Sequence, residues 1–491
     1  MTQTEAAVSA PRSAVDVLLP ADIAAARPLG VWAIALLCLL PAACYYALLL
    51  SLGSTGFFDP LPHGLTFNSM LLHLLQGRFD VDPAAIGDEG FLRDGATYAY
   101  FGVFPALFRA AFLGLRDFAS IDFTRLSCLA AVCLMAFFKL LAALTVGRRA
   151  AGERGGIVLV LLALTLLAGG AQIHFLRPSI FQETGLWADA FAAVFIYLAV
   201  RGLLLQTGFT PRLLTGMAAA AGLCLLTRVS TALGLYVALG LLWLVLAWRT
   251  WRAGSPRVEL VRLCRPILVL VCFAAVTAFI NYRRWANPLT FVDMTAQILA
   301  LTQHPDRLVR VREYGEFNPI RLLYGLQYYF LPLGLWRGGS GELLWEQFQE
   351  RTIDFIELPP GSLLLSEPLL IGLAIYGLAR LRRQKVLPRP ELAIPLLAGL
   401  LVPIVLIVTA IAMTFRYRLE FYPFLELCAF IGLAFVLTKA RPPRRLLLAG
   451  AMVSIASAHV FWLLYMLSPF GQASDVLGDV GALDFYARLL H

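Results

Sequence analysis

The feature that most constrains this chain is the recurrence of apolar runs long enough to cross a lipid bilayer. Eleven can be read, at roughly 30–52, 123–146, 155–175, 181–204, 212–229, 231–248, 266–282, 362–380, 391–413, 419–438 and 445–467. About 20 helical residues span the hydrocarbon core. In lipid only helices and closed barrels satisfy their own backbone hydrogen bonds, and the alternating pattern of a barrel strand is missing. The fold class that follows is an all-α polytopic membrane protein with about 11 transmembrane helices. Composition agrees, with 59% hydrophobic and 14% charged residues, against roughly 25% charged in soluble domains.

Orientation follows from basic residues in the short loops. RRAAGER (148–154), WRTWRAGSPRVELVRLCR (248–265), ARLRRQKVLPRP (379–390) and KARPPRR (439–445) mark one side as cytoplasmic. The net charge of +9 is then mostly this topology signal. The N-terminal segment 1–29 reads as a cytoplasmic tail before an uncleaved anchor helix. Residues 30–467 form one multi-pass domain and 468–491 an exterior tail. Two long loops, 53–122 and 283–361, face outward. LTFNSMLLHLLQGRF (65–79) sets Leu65, Met70, Leu71, Leu74 and Leu75 on one helical side, as a helix lying in the membrane interface would. FNPIRLLYGLQYYFLPLGLW (317–336) is similarly amphipathic, with clustered tyrosines.

The first long loop is acidic beyond its surroundings. Asp59 follows the first span in GFFDPLPHG, and Asp80, Asp82, Asp88, Glu89 and Asp94 fall within GRFDVDPAAIGDEGFLRDGATYAYFG (77–102). A carboxylate at the rim of a membrane cavity can serve as general base or metal ligand. Equally, Asp82-Pro83 and Asp94-Gly95 are common turn dipeptides. Arginines recur where the outward side is expected to have few: Arg177, Arg228, Arg283, Arg284, Arg416 and Arg418. Guanidinium forks match phosphate oxygens in bidentate geometry; the alternatives are snorkelling to the interface or pairing with Glu183 and Glu420. Lys139, Glu183 and Asp189 fall inside apolar spans, where a charge faces either a cavity or an ionic partner.

Other chemistries find little support. The eight cysteines form no CxxC pair and the six histidines show no ligand spacing, so neither disulfides nor a histidine metal site is expected. A divalent metal is compatible with the acids, but no ligand spacing favours one. There is no Walker A sequence, GxSxG elbow or HExxH motif, and nothing suggests nucleic acid.

One helix, a large exterior loop with an acid ahead of a juxtamembrane helix, and then many more helices: this order resembles the GT-C superfamily of polyprenyl-phosphate-dependent membrane glycosyltransferases, of the bacterial mannosyltransferase-like kind. Asp59 stands where those enzymes place a catalytic aspartate. LLQGRFDVDP followed by DGATYAYFGVFPALFRAAF resembles the family's short helix, "DG-x-x-Y" turn and proline-led helix. IFQETGLWADAF (180–191), LTRVSTALGL (226–235), NYRRWANPLTF (281–291) and FRYRLEFYPFLELC (415–428) are similar to blocks of such proteins, the last to an "R-Y-x-x-(D/E)-x-x-P" element near the lipid-phosphate pocket. Family members often carry an Asp-Glu pair where this chain has Asp59-Pro60.

The resemblance implies an inverting sugar transfer from a polyprenyl-phosphate donor to a glycan, lipid or protein hydroxyl on the periplasmic face of the inner membrane. The base would be Asp59, with Asp80 or Asp82 next. Glu89, Asp94, Tyr98, Tyr100, Glu183, Arg228, Arg283, Arg416 and Arg418 would bind substrate, and Tyr328 and Tyr329 are further stacking candidates. The rival class is a transporter or flippase of a lipid-linked glycan, and a non-catalytic scaffold is a third. Corresponding broken helices in two similar halves would favour transport, and the halves here do not look alike.

Overall fold

The computed structural model describes residues 28–51, 56–151, 156–254, 257–331, 351–357, 362–381, 387–439 and 443–467. The N-terminal tail up to residue 27, the C-terminal tail from 468 and residues 332–336 of the 317–336 element lie outside them. The helices that organise the chain are α1 (Pro28–Ser51), α2 (Thr66–Leu75), α3 (Thr124–Ala151), α4 (Gly156–Ala168), α5 (Ile180–Leu204), α6 (Pro211–Leu225), α7 (Val229–Arg252), α8 (Arg257–Trp285), α9 (Pro305–Tyr314), α10 (Pro368–Arg380), α11 (Ala393–Val408), α12 (Tyr422–Leu437) and α13 (Arg444–Leu467).

Among the described residues, eight helices are long and apolar enough to cross a membrane, and three apolar helices are shorter, at Val160–His174, Pro211–Leu225 and Pro368–Arg380. All eleven expected runs are therefore helical, but three of them stop short of a full span. The physical reasons differ. Gly169 and Gly170 interrupt the first of the three, with Gly170 at positive φ. The second ends at Thr227-Arg228, whose backbone turns back onto Cys224. The third begins only at Pro368, because Ser362 starts a separate turn over Leu363–Ser366.

Burial ranks the helices. In the most apolar stretch of Ile180–Leu204 and Phe415–Leu437, 83% and 94% of residues are buried, against 28% in the first and last spans. So α5 and α12 form the centre and α1 and α13 face outward. Helices approach through small residues, which drive packing where lipid removes the hydrophobic contrast. A Cβ on Gly377 of α10 would meet the carbonyl oxygen of Cys428 in α12. Helix starts carry ordinary caps: Ser179 accepts from the Gln182 amide ahead of α5, and Thr210 from that of Leu213 ahead of α6.

The first long loop is a folded element. Its own core joins Phe67, Met70 and Leu71 of α2 to Val81, Ile86 and Phe101. The buried side of α2 is thus Phe67, Met70 and Leu71, while Leu75 stays 63% exposed. This corrects the apolar side expected for that helix. Residues Phe91–Arg93 (β1) and Ala96–Tyr98 (β2) pair antiparallel across a two-residue turn. Asp94 and Gly95 both take positive φ, 50° and 77°, as this tight hairpin connection requires.

The two long loops meet. The Ile298 amide donates to the Gly90 carbonyl at 2.9 Å, Phe91 bridges to Gln297, and Arg93 Nη1 donates to the Arg284 carbonyl at 2.8 Å. On its other flank the second loop joins the end of α11, through Asn318 N to Thr409 O at 2.9 Å and Ile411 N to Glu316 O at 2.8 Å. Buried Arg321 fastens this junction by donating to the carbonyls of Thr352, Glu316, Thr409 and Gly315.

Candidate active-site cavity

Where the two loops meet the helix ends there is a cavity of about 430 Å³. A smaller lobe of about 200 Å³ reaches toward α8. Tyr100, Phe181, Arg228, Arg416 and Tyr417 line both lobes, so they form the partition between them.

Among the described acids of the first long loop, Glu89 faces this cavity; from the second long loop Glu316 and Asp354 line it as well, the latter paired with Arg307 and Arg310. Glu89 ends the short turn Gly87–Glu89 just before β1, one residue from the Gly90 carbonyl that Ile298 pins. Burial pushes its carboxyl above the usual range, against the pull of the Arg416 guanidinium and of His63. That makes it a better proton acceptor at neutral pH than an exposed glutamate.

The three carboxylates expected to serve as base are placed elsewhere. Asp59 folds back to accept from the Gly56 amide at 2.7 Å, and its carbonyl accepts from Arg125 at 2.7 Å. Asp80 is held by Arg78 and by His73, whose Nδ1 lies 3.3 Å away. Partial burial would raise the Asp80 carboxyl, but the Arg78 hydrogen bond and the His73 charge outweigh it and hold it low. Asp82 caps the turn Pro83–Ile86 by accepting from Ala84 at 2.9 Å. None of the three lines the cavity. The structure thus places the three expected acids away from the cavity, each engaged by a local backbone or charge partner. Asp94 serves the hairpin turn, with its side chain 80% exposed.

The arginines divide in the same way. Arg416 lines both lobes, lies over the Phe181 ring at 4.3 Å, and makes no ion pair among the described residues. Arg228 engages Glu420 through Nε at 2.6 Å. Ser230 and Thr231 donate to the same carboxylate at 2.5 and 2.7 Å, so Glu420 holds Arg228 through Nε while the residue lines both lobes. Arg283, in contrast, is exposed and lies over Phe79 at 5.0 Å, outside the cavity. Its neighbour Arg284 takes that place. It is 3% exposed, lines the smaller lobe, and donates Nη1 to the Phe101 carbonyl at 2.8 Å. Arg418 is fully buried over the Phe415 ring at 4.6 Å and faces neither lobe.

Glu183 lines neither lobe and is paired instead. Arg109 grips it in a bidentate pair at 2.5 and 3.0 Å while donating Nε to Asn68 at 2.8 Å. This ties α2 and the end of the first loop to α5. Tyr98 packs on Trp285 and Tyr100 on Phe101, and of the two only Tyr100 reaches the cavity. Tyr328 and Tyr329 pack on each other, and Tyr329 on Phe421, in the helical core. Among the described residues no group of three or more His, Cys, Asp or Glu side chains is placed to hold a metal ion.

No family model matches the chain, and no curated protein matches it. Among solved structures, the chain is similar to an oligosaccharyltransferase of Archaeoglobus fulgidus in its apo form, at 13% identity and a TM-score of 0.47, over 91% of this chain and 60% of that one. It is also similar to the oligosaccharyltransferase AglB of the same organism in complex with an inhibitory peptide and a dolichol-phosphate, at 14% identity and a TM-score of 0.41, over 90% and 60%. A third is an Archaeoglobus fulgidus oligosaccharyltransferase tethered to an acceptor peptide, at 14% identity and 0.42, over 90% and 59%. The chain spans about 60% of the length of these proteins.

Proposed function

We propose that this multi-pass membrane protein is a glycosyltransferase of the GT-C kind. It moves a sugar from a polyprenyl-phosphate donor to an acceptor hydroxyl at the outer face of the inner membrane. The observation that supports this reading is that Glu89 and Arg416 line one cavity, at the junction of the two long loops.

The acceptor, a glycan, lipid or protein hydroxyl, loses its proton to Glu89 as its oxygen attacks the anomeric carbon. The bond from that carbon to the donor phosphate oxygen breaks, and the electron pair leaves with the phosphate. Arg416 and the terminal nitrogens of Arg228 meet the charge that develops there. One displacement inverts the anomeric centre. The proton ends on Glu89, whose raised carboxyl suits it to hold one.

Purified protein in proteoliposomes with radiolabelled polyprenyl-phosphate sugar tests the proposal. Transfer of label to an acceptor fraction supports it. Movement of the head group across the bilayer without bond cleavage would favour the transporter class instead, since the same guanidiniums bind a phosphate with or without chemistry.

A further inference from the structure

The two lobes of the cavity differ in charge. Among the described residues no carboxylate lines the smaller lobe, where Arg228, Arg284 and Arg416 stand. Glu89, Glu316 and Asp354 line the larger one. Arg284 is buried and forms no ion pair among the described residues. An anionic phosphate is therefore stabilised on the side of the smaller lobe, and the larger lobe favours a group without negative charge.

The second long loop supplies the far wall of the larger lobe, and that wall is already held in place. Arg307 of α9 lies with Nε 2.6 Å from Asp354 Oδ2 and donates Nη1 to Gln297 Oε1 at 2.7 Å. Arg310 reaches Asp354 Oδ1 at 3.4 Å, and Gln297 bridges to Phe91 of β1. Two further groups on this lobe lack protein partners. The Glu316 carboxylate makes no hydrogen bond or ion pair among the described residues, although its backbone carbonyl accepts from Ile411 at 2.8 Å. Thr414 lines the same lobe and is 1% exposed, and its hydroxyl has no partner among the described residues. Buried polar atoms without partners are rare and call for an explanation.

A carboxylate only accepts hydrogen bonds and a guanidinium only donates them, whereas a hydroxyl does both. A wall that sets carboxylates beside a guanidinium and a free hydroxyl suits a molecule bearing several hydroxyls on a small frame. A serine or threonine of a peptide brings one hydroxyl, and a fatty alcohol brings one with an apolar tail. Phe317, next to Glu316, lines this lobe and is 52% exposed, a flat apolar surface against which the C–H side of a sugar ring can lie. The lobe's volume of about 430 Å³ falls in the range of roughly 300–1,000 Å³ over which pockets hold small molecules.

We propose that the larger lobe binds the acceptor as an uncharged sugar, whose hydroxyls are held by Glu316, Thr414 and the Arg307–Asp354 pair and whose ring lies on Phe317. On the glycosyl-transfer reading, on which this rests, the acceptor is thereby a glycan rather than a lipid or a protein. Glu316 binds a hydroxyl, and Glu89 takes the proton.

Purified full chain in nanodiscs is offered methyl glycosides of common hexoses and pentoses, a serine- and threonine-containing peptide, and dodecanol. Saturation-transfer NMR without donor reads binding, and label from a radiolabelled polyprenyl-phosphate sugar reads turnover. A methyl glycoside should bind and accept label. Glu316→Ala should raise its KM by about 10- to 200-fold, as loss of a hydrogen bond to a charged group does, with kcat unchanged. The melting temperature should hold, since the Glu316 side chain has no protein partner to lose. Phe317→Ala should raise KM by a smaller factor. Label passing to the peptide or to dodecanol while no glycoside binds would overturn the sugar acceptor and leave glycosyl transfer standing. A donor left intact with every acceptor would overturn both. Glycosides that bind equally well to Glu316→Ala would also overturn the proposal. Burial and Asp293 raise the Glu316 carboxyl too, so the pH profile separates its roles: a Glu316→Ala protein that loses kcat together with the rising limb would make Glu316 the base and overturn its assignment to binding.

Discussion

Arg109 and Glu183 face each other through two hydrogen bonds of 2.5 and 3.0 Å, and neither side chain has any exposed surface. The guanidinium also donates to Asn68 Oδ1 at 2.8 Å and to the Pro105 carbonyl at 2.9 Å. Removing one partner leaves the other as a buried, unpaired charge, a loss of about 3–5 kcal/mol. Glu183→Gln and Arg109→Met should therefore each lower unfolding stability by that order. The double variant should recover part of the loss, because no lone charge remains. A thermodynamic cycle over the four proteins measures the coupling, and additive losses would show that the pair does not act as a unit.

Glu89 is the base of the proposed transfer, so Glu89→Gln should reduce turnover by about 10²–10⁴. Asn at positions 59, 80 or 82 should change turnover by less than about threefold where the fold survives, because those carboxylates turn to Gly56, Arg78 with His73, and Ala84. The pH profile carries a sign. Glu89 accepts a proton only when ionised, so the rate rises with pH through its titration. Burial places that limb above the range of an exposed glutamate. Initial rates between pH 4 and 8 locate it, and a limb that persists in Glu89→Gln would assign the titration to another group.

The helical body was legible in the chain because lipid demands long apolar runs, and each of the eleven became a helix. The spans that fell short did so at backbone features such as Gly169-Gly170, which hydropathy does not weigh. That arginines gather at helix ends was legible too, but which of two adjacent ones enters the cavity was not. Arg283 and Arg284 differ by about 100° around α8, and only the packing of Phe79 and Phe101 decides between them. The choice among acids rested on chain order after the first helix. The proposal of Glu89 rests instead on a contact between residues 90 and 298, a separation no local pattern reports. Arg109 carried a weak signal, a lone charge in FPALFRAAF, and Arg284 stood unranked beside Arg283.

The β1–β2 turn separates shape from charge. Asp94 and Gly95 adopt φ of 50° and 77°, and the Asp94 carboxylate is 80% exposed. Asp94→Asn keeps the turn preference and should leave transfer unchanged. Gly95→Val forces a β-branched residue into left-handed backbone at a cost of about 1–2 kcal/mol. The hairpin presents Glu89 through Gly90 and Phe91, so Gly95→Val should lower turnover more than it lowers donor affinity. Measuring kcat and KM for both variants separates the two, and a loss in Asp94→Asn equal to that in Gly95→Val would give the carboxylate a role of its own.

Arg416 and Arg228 share the end of the cavity proposed to take the donor phosphate, but differ in what already holds them. Arg228 is tethered to Glu420 at 2.6 Å, whereas Arg416 rests on Phe181 and Tyr417 by ring contacts at 4.3 and 5.5 Å. A charge-assisted hydrogen bond contributes about 1.5–3 kcal/mol, so Arg416→Ala should cut kcat/KM for the donor by about 10- to 200-fold. Lys at 416 keeps the charge but loses the planar fork and the stacking surface, so it should restore only part of that loss. Arg228→Ala should do more damage than its share of donor binding explains, because Glu420 would be left buried without its cation. Arg228→Ala paired with Glu420→Gln should regain stability while donor binding stays weak. Donor titrations and melting curves on these four variants distinguish phosphate binding from scaffolding, and an Arg416→Ala protein with unchanged donor affinity would remove Arg416 from the site.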